Sequence, residues 1–223
     1  MPRAWFITGT DTGVGKTLVS AALLTALVRS GRRAVGMKPV ASGCELTPQG
    51  WRSADAEALR AAGNVEADYD DRNPYALAAP TAPHLAAVAA DVQIDIGVIR
   101  ARYARLAAHA EDVVVEGVGG WLVPINLTQS MADVVRSLDL PVILVVGLRL
   151  GCLNHALLTQ QAIAASGCRL LAWVANTLED GGAPQGYVEA LRERLRAPCL
   201  GVIPYVPTPA IAADSLDLSV IDR

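Results

Sequence analysis

One short run between two apolar segments constrains this chain more than any other feature. The run Gly9-Thr-Asp-Thr-Gly-Val-Gly-Lys-Thr17 follows apolar residues 4–7 and leads into apolar residues 18–28. It reads as strand, glycine-rich loop, helix, the setting in which backbone N–H groups and a helix N-terminus hold nucleotide phosphates. Thr10 stands where the usual spacing has its first glycine, and Gly9 precedes it, so the loop is one residue longer than the common form. Gly13 and Gly15 allow positive φ and close approach of the backbone to an anion. Lys16 is placed to reach the β- and γ-phosphates, and the Thr17 hydroxyl to take one position on Mg²⁺. A glycine-rich turn before an ordinary helix is the alternative, but loop, lysine, threonine and flanking segments all agree on phosphate.

The rest of the chain repeats the strand-then-helix pattern. Runs at 5–8, 34–37, 112–115, 142–146, 170–174 and 199–203 are rich in β-formers, several of them apolar at every position. Such runs belong to parallel strands covered on both faces. Helical stretches fall between them at 16–29, 53–62, 94–108, 130–137, 152–165 and 185–196. The pattern predicts an α/β fold, a single-domain P-loop NTPase-like architecture over residues 1–223. Its sheet is expected to be mostly parallel with helices on both faces, and ligands to bind beyond the carboxyl ends of the strands. The stretch 69–83, rich in Pro, Asp and Asn, reads as an irregular surface excursion, and the tail after Pro204 shows no periodicity.

Lysine usage singles out a second position. Of 19 basic residues only Lys16 and Lys38 are lysine. An ammonium is a compact point charge where a guanidinium is a wide planar fork. Lys38 follows the second strand in Lys38-Pro-Val-Ala-Ser-Gly43, facing the same crevice as the loop. A solvated surface lysine is the commoner fate, yet this chain otherwise uses arginine there. Here Lys38 is suited to stabilise charge on a transferred phosphoryl group or an anionic substrate. Ser42 and Gly43 are expected to offer that ligand a hydroxyl and an amide. The third strand reaches Glu116-Gly-Val-Gly-Gly120 at its tip. A carboxylate there matches the Mg²⁺-directing acid of P-loop folds, and an unpaired buried glutamate is otherwise costly. Asp55, opening a helix, suits either the same ion or that helix's macrodipole.

Net charge −3, without a block of like charge, argues against nucleic acid or an anionic membrane as partner. The scattered Cys44, Cys152, Cys168 and Cys199 form no metal or disulfide pattern and read as reduced thiols of a cytoplasmic protein. No signal peptide is read at the start, and no apolar run is long enough to span a bilayer. His84 and His155 read as structural hydrogen-bonders and His109 as a helix-end residue.

The phosphate loop, Lys38-Pro-Val-Ala-Ser-Gly43, Glu116-Gly-Val-Gly-Gly120, Pro141-Val-Ile-Leu-Val-Val-Gly147, Leu150-Gly-Cys-Leu-Asn-His155 and Trp173-Val-Ala-Asn176 together resemble the dethiobiotin synthetases. The resemblance spans about residues 4–206, in matching order and spacing. It implies a ligase of biotin biosynthesis that uses ATP, Mg²⁺ and CO₂. The enzyme would convert 7,8-diaminononanoate to dethiobiotin, ADP and phosphate through a carbamate and a carbamic-phosphoric anhydride. Carried over by motif, Thr12, Lys16 and Lys38 serve phosphate and carbamate, and Thr17, Asp55 and Glu116 hold Mg²⁺. ATP contacts fall to Gly13, Val14, Gly15, Lys16, Thr17, Asp55, Glu116, Gly117, Val118, Gly119, Asn176 and Thr177. Asn176 would read adenine, and Pro204, Tyr205 and Val206 would line the base pocket. Ser42, Leu150, Gly151, Asn154 and Tyr187 are implied as substrate contacts, and a homodimer with shared sites is implied with them. The helix following Leu148-Arg-Leu-Gly-Cys-Leu-Asn154 adds a local argument, since its N-terminal amides suit the distant carboxylate of the diamine.

Two departures stand out. Gly13 replaces an acid found in some relatives, and the tail Pro207-Thr-Pro-Ala-Ile-Ala-Ala-Asp214 lacks a glutamate that some place near the nucleotide, a role not assigned to Asp214. Two rivals share the loop. A partitioning ATPase would carry a lysine where Asp11 stands, together with a basic amphipathic tail for a membrane. An amide-forming synthetase acting on a larger carboxylate commonly carries a glutaminase domain, for which this chain is too short.

Overall fold

The computed structural model describes residues 2–222. Its strands are β1 (Arg3–Gly9), β2 (Ala34–Met37), β3 (Val40–Ser42), β4 (Glu45–Thr47), β5 (Gly50–Arg52), β6 (Tyr75–Leu77), β7 (Asp112–Gly120), β8 (Val142–Leu148), β9 (Leu170–Thr177) and β10 (Cys199–Ile203). Its helices are α1 (Lys16–Arg29), α2 (Ala54–Ala62), α3 (Tyr69–Arg72), α4 (Pro83–Ala89), α5 (Ile96–Ala107), α6 (Met131–Leu138), α7 (Cys152–Ala165), α8 (Tyr187–Arg194) and α9 (Pro209–Ala212).

Six strands form one sheet in the order β10-β9-β8-β1-β7-β2, and every pairing in it is parallel. Alternation along β1 shows how the sheet is covered. Ala4 and Phe6 enter one core with residues of α4, α5 and α6, whereas Trp5 and Ile7 enter the opposite core against α1. Strands buried on both faces need apolar residues at every position, which is why their sequence runs show no polar alternation. Gly36 of β2 lets α1 and α2 approach, because a Cβ there would lie 2.6 Å from that of Leu59 and 2.9 Å from a Leu24 methyl.

Several sequence expectations need correction. The stretch 69–83 is not a surface excursion: Asp71, Arg72 and Asn73 are buried, and β6 pairs in parallel with β3. Asp71 and Asn73 find side-chain partners in distant parts of the chain, at Arg102 and the Lys38 carbonyl, which composition cannot reveal. β7 continues to Gly120, so Glu116 lies inside the strand beside Ile7 and not at its tip. The β4–β5 hairpin and α4 carried no periodic signal, being only a few residues each. The tail is ordered by packing, with α9 against α1 and residues 216–217 bonded back to β10. Asp214 pairs with Arg29 at the C-terminal end of α1, far along the helix from the loop, and is no substitute for the missing glutamate. Gly43 donates its amide to the Ala79 carbonyl (3.1 Å) and does not offer it to a ligand. The His84 Nδ1 is buried without a hydrogen-bond partner, and His155 lies exposed on α7.

At the amino ends of the strands, fully buried Asp112 accepts from Arg32 Nε (2.6 Å), Arg32 Nη2 (2.7 Å) and Arg3 Nε (3.0 Å). Asp222 bonds the same two arginines and ties the tail to β1. A bidentate guanidinium on a buried carboxylate is among the stronger polar contacts. Removing one partner of a buried pair leaves the other uncompensated, at a cost of about 3–5 kcal/mol. Because Arg3 is half exposed, Asp112→Ala should fall at the low end, about 3 kcal/mol. Urea unfolding measures this, and an unchanged midpoint would show that the cluster contributes nothing to stability.

Candidate active site

The site begins where β1 ends. Gly13 (φ 73°) and Gly15 (φ 89°) turn the chain through left-handed conformations into α1. Gly15 is required twice, since a Cβ would also lie 2.1 Å from the Asn176 side-chain nitrogen. The N-terminus of α1 has no side-chain cap and no acid in its first turn. Its backbone donors and the positive end of its dipole therefore face the cleft uncompensated, as an anion site requires.

The two lysines occupy unlike environments. Lys38 is 2% exposed, and its Nζ donates to Glu116 Oε1 (2.6 Å) and the Gly117 carbonyl (2.9 Å), with Asp55 Oδ2 at 2.8 Å. Burial acts to lower its pKa, but the Glu116 and Asp55 carboxylates outweigh burial and raise it. Lys16, 7% exposed, donates to the Asp11 carbonyl at 2.9 Å. Burial, then the neighbouring Lys38 charge, pulls it down from 10.5 to about 8 against the opposing pull of Glu116, Asp55 and Asp11. Lys38 is thus a compensated cation, and Lys16 one whose charge a bound polyanion would stabilise.

Thr17 and two carboxylates complete the cluster. The Thr17 hydroxyl lies 2.9 Å from Asp55 Oδ1 and 2.9 Å from Glu116 Oε1. Burial works to raise the pKa of Asp55, yet Lys38 and the Thr17 hydrogen bond hold it below the ordinary carboxylate range. Glu116 is fully buried, and its Oε2 has no hydrogen-bond partner. Among the described residues no three His, Cys, Asp or Glu are gathered for a metal. The donor set here is instead one hydroxyl and two carboxylates, hard oxygens that suit Mg²⁺ with remaining positions left to water and phosphate. The orphaned Glu116 oxygen and the ammonium already seated between the carboxylates both mark a place built for positive charge. These residues fit Mg²⁺.

The groups converge on a cavity of about 720 Å³ at the carboxyl ends of β1, β2 and β7. Thr12, Gly13, Gly15, Lys16, Thr17, Lys38, Ser42, Asp55, Glu116, Val118 and Gly119 all line it. Val14 is buried beneath the loop, and its carbonyl accepts from Asn176 Nδ2 at 3.0 Å. Asn176 Oδ1, buried and unpartnered, is an acceptor available to an amino group. Thr177 and residues 204–206 lie outside this cavity, at the neighbouring ends of β9 and β10, where Ile203 pairs with Asn176. Leu150, Gly151 and Asn154 stand exposed at the start of α7, and half-buried Tyr187 packs in a separate cluster beside β8 and β9. The single chain does not bring these four to the cavity.

Other residues were not foreseen from sequence. Pro80, Thr81, Ala82 and Pro83 form one wall, for which the only sequence signal is a proline at the first turn of α4. Arg149 bonds Asp11 and links the β8–α7 turn to the phosphate loop. Tyr69 and Asn73, which hold the backbone behind Lys38, carry no signal at all.

Comparison with known proteins follows the same lines. A family model described as "AAA domain" matches residues 3–210. An ATP-dependent dethiobiotin synthetase BioD from Xanthomonas oryzae is 53% identical over 220 residues, covering 98% of each chain. The protein of that name from Aromatoleum aromaticum is 51% identical, covering 97% of this chain and 98% of its own. In solved structures the fold is similar to that of a MinC:MinD cell division protein complex from Aquifex aeolicus. There the TM-score is 0.60 at 19% identity, over 99% of this chain and 89% of that one. The septum site-determining protein MinD with Mg-ADP from Pyrococcus horikoshii gives 0.57 at 16%, over 96% and 86%. At such identities the structural likeness speaks for the P-loop NTPase fold alone. Identity sustained across nearly the whole chain is what distinguishes among proteins of this fold, and by it the chain belongs to the ATP-dependent dethiobiotin synthetase family.

Proposed function

We propose that this enzyme closes the ureido ring of dethiobiotin from 7,8-diaminononanoate, CO₂ and ATP, with Mg²⁺, in the cytoplasm. One observation carries the reading. Two buried ammonium groups, one compensated and one not, meet at an uncapped helix N-terminus beside a hydroxyl–carboxylate set. Joining two anions demands such a concentration of positive charge, held in place before the reaction.

In this reading one amine of the diamine adds to CO₂ and loses a proton to solvent, giving a carbamate. A carbamate oxygen attacks the γ-phosphorus, and the bond to the bridging oxygen breaks with its electron pair leaving on ADP. The second amine then attacks the carbonyl carbon and loses a proton to solvent, and phosphate departs with the electrons of the broken C–O bond. Lys16, Thr12 and the α1 amides hold the phosphates. Lys38 balances charge on carbamate and transferred phosphoryl group, and Ser42 orients the diamine. Thr17, Asp55 and Glu116 would hold Mg²⁺, which supplies charge neutralisation across the phosphates. Asn176 Oδ1 accepts from the adenine amino group, with Thr177 and residues 204–206 flanking the base. Gly13, Val14, Gly15, Gly117, Val118 and Gly119 bring backbone close to the nucleotide.

Leu150, Gly151, Asn154 and Tyr187 are assigned to the diamine's distant carboxylate in a homodimer, supplied by a second copy. The exposure of Leu150, Gly151 and Asn154, and the placement of all four away from their own cavity, support that assignment. Phosphate release measured with diamine, bicarbonate and MgATP, omitting each in turn, tests the reaction, with dethiobiotin identified by mass. Release that is independent of the diamine would refute it.

Lys38→Gln should lower turnover by about 2.7–4 kcal/mol in transition-state stabilisation, the range for a lost charge-stabilising donor. Lys38→Arg should rescue poorly, because the guanidinium is wider than the space between Glu116 and Asp55. Turnover near wild type in Lys38→Gln would remove Lys38 from the mechanism. Glu116→Gln keeps shape and loses charge, so a Mg²⁺ titration of turnover should shift to higher metal while nucleotide affinity changes less. An unchanged metal dependence would make Glu116 a structural acid. Mixing Lys16→Ala chains with Asn154→Ala chains should restore part of the activity that each lacks alone. A fully active monomer in sedimentation would exclude the shared site.

A further inference from the structure

Lys38 and Asp55 meet at 2.8 Å, yet they stand on elements that do not bond each other near that point: Lys38 after the end of β2, Asp55 in the first turn of α2. A continuous chain of hydrogen bonds joins their backbones from behind. The Ser53 N–H, at the cap of α2, donates to the Tyr69 hydroxyl at 2.7 Å. That hydroxyl donates to Asn73 Oδ1 at 3.1 Å, and Asn73 Nδ2 donates to the Lys38 carbonyl at 2.7 Å. The Lys38 N–H donates to the Arg72 carbonyl at 2.7 Å, so α3 and the residue after it grip the Lys38 peptide on both sides. Asn73 and Ser53 are buried. The Tyr69 ring is fixed independently by the Arg52 guanidinium stacked over it at 3.9 Å.

We propose that Tyr69 and Asn73 are positioning residues that set the spacing of Lys38 and Asp55 for the reaction described above, on which this inference rests. Neither side chain lines the cavity. Each bond in the relay is made by a group that both gives and receives, so that the links reinforce one another and losing one slackens the whole. The Tyr69 hydroxyl is its central link, because it alone touches both the α2 cap and Asn73. A displacement of about 1 Å between such groups is enough to lower a rate that depends on their alignment. With the relay cut, α2 would keep its Ser53 cap and its packing on α1, but the Asp55 turn would lose its hydrogen-bonded tie to the Lys38 peptide, and the place that fits Mg²⁺ would lose definition.

Tyr69→Phe isolates the hydroxyl, since the ring and its Arg52 contact remain. In the full-length enzyme kcat should fall about tenfold, the upper range for one hydrogen bond, while KM for ATP at saturating Mg²⁺ stays within about twofold. The Mg²⁺ needed for half-maximal turnover should rise. Calorimetric titration of Mg²⁺ into protein loaded with a non-hydrolysable ATP analogue should show the same weakening without catalysis. Amide exchange at Ser53 should speed up while the centre of α2 is unaffected. Asn73→Ala, which cuts the relay at its other end, should repeat the metal effect. Unchanged kcat and Mg²⁺ affinity in folded Tyr69→Phe would overturn the proposal. So would a kcat loss that tracks a lower urea midpoint with Mg²⁺ affinity intact, which would make Tyr69 a merely structural support. Should the wild-type enzyme itself form no dethiobiotin, the proposed reaction fails, and the calorimetric and exchange comparisons still decide whether the relay positions the two charged groups.

Discussion

A carboxylate with no exposure inside a parallel sheet is the constraint around which this molecule is arranged. Glu116 sits within β7 beside Ile7 of β1, where a lone charge would cost several kcal/mol. Lys38 answers it at 2.6 Å, and the Thr17 hydroxyl at 2.9 Å. Those partners come from the end of β2 and the first turn of α1, and Asp55 joins from α2. Burying one acid thus fixes how four elements meet. The balance is incomplete, since one Glu116 oxygen has no partner and Lys16 has only a carbonyl. That residual imbalance is the chemical potential of the site, because anion and metal together would satisfy what protein alone leaves open.

The two lysines divide the electrostatic work. Lys38, locked between carboxylates, is kept charged and stationary. Lys16, partly deprived of compensation, gains most from a polyanion arriving at the α1 N-terminus. A guanidinium at either place would need room for a planar fork in a space closed by Glu116, Asp55 and the Gly117 carbonyl, or by the Asp11 carbonyl. This is the physical sense of a chain that uses arginine almost everywhere else.

The scaffold by itself decides little about chemistry. MinD proteins share the architecture at under a fifth identity, and cradling phosphates is a property of loop and helix that many activities reuse. What differs is the surroundings of the loop. Asp11 stands where a partitioning ATPase would carry a lysine, and it bonds Arg149 of its own chain. Pro80–Pro83 of the same chain wall the cavity opposite the loop residues.

Much of this was written in the linear sequence. The six main strands were legible because strands covered on both faces must be apolar throughout, and the phosphate loop because its glycines and lysine have few other uses. Lys16, Lys38, Thr17 and Asp55 stood out by type and by position at a strand end or helix start, and Glu116 by type, although it lies within β7 and not at its tip. The segment 69–83 was not. Its polar composition looks like surface, and burial of Asp71 and Asn73 depends on partners more than thirty residues away, Arg102 and Lys38. Sequence by itself determined which groups carry charge and which segments form the strands of the main sheet, since both follow from local residue type and period. Only the tertiary structure decided the distances among Lys38, Asp55 and Glu116 and the relay behind them. Those depend on long-range contacts between elements, and no local pattern encodes them.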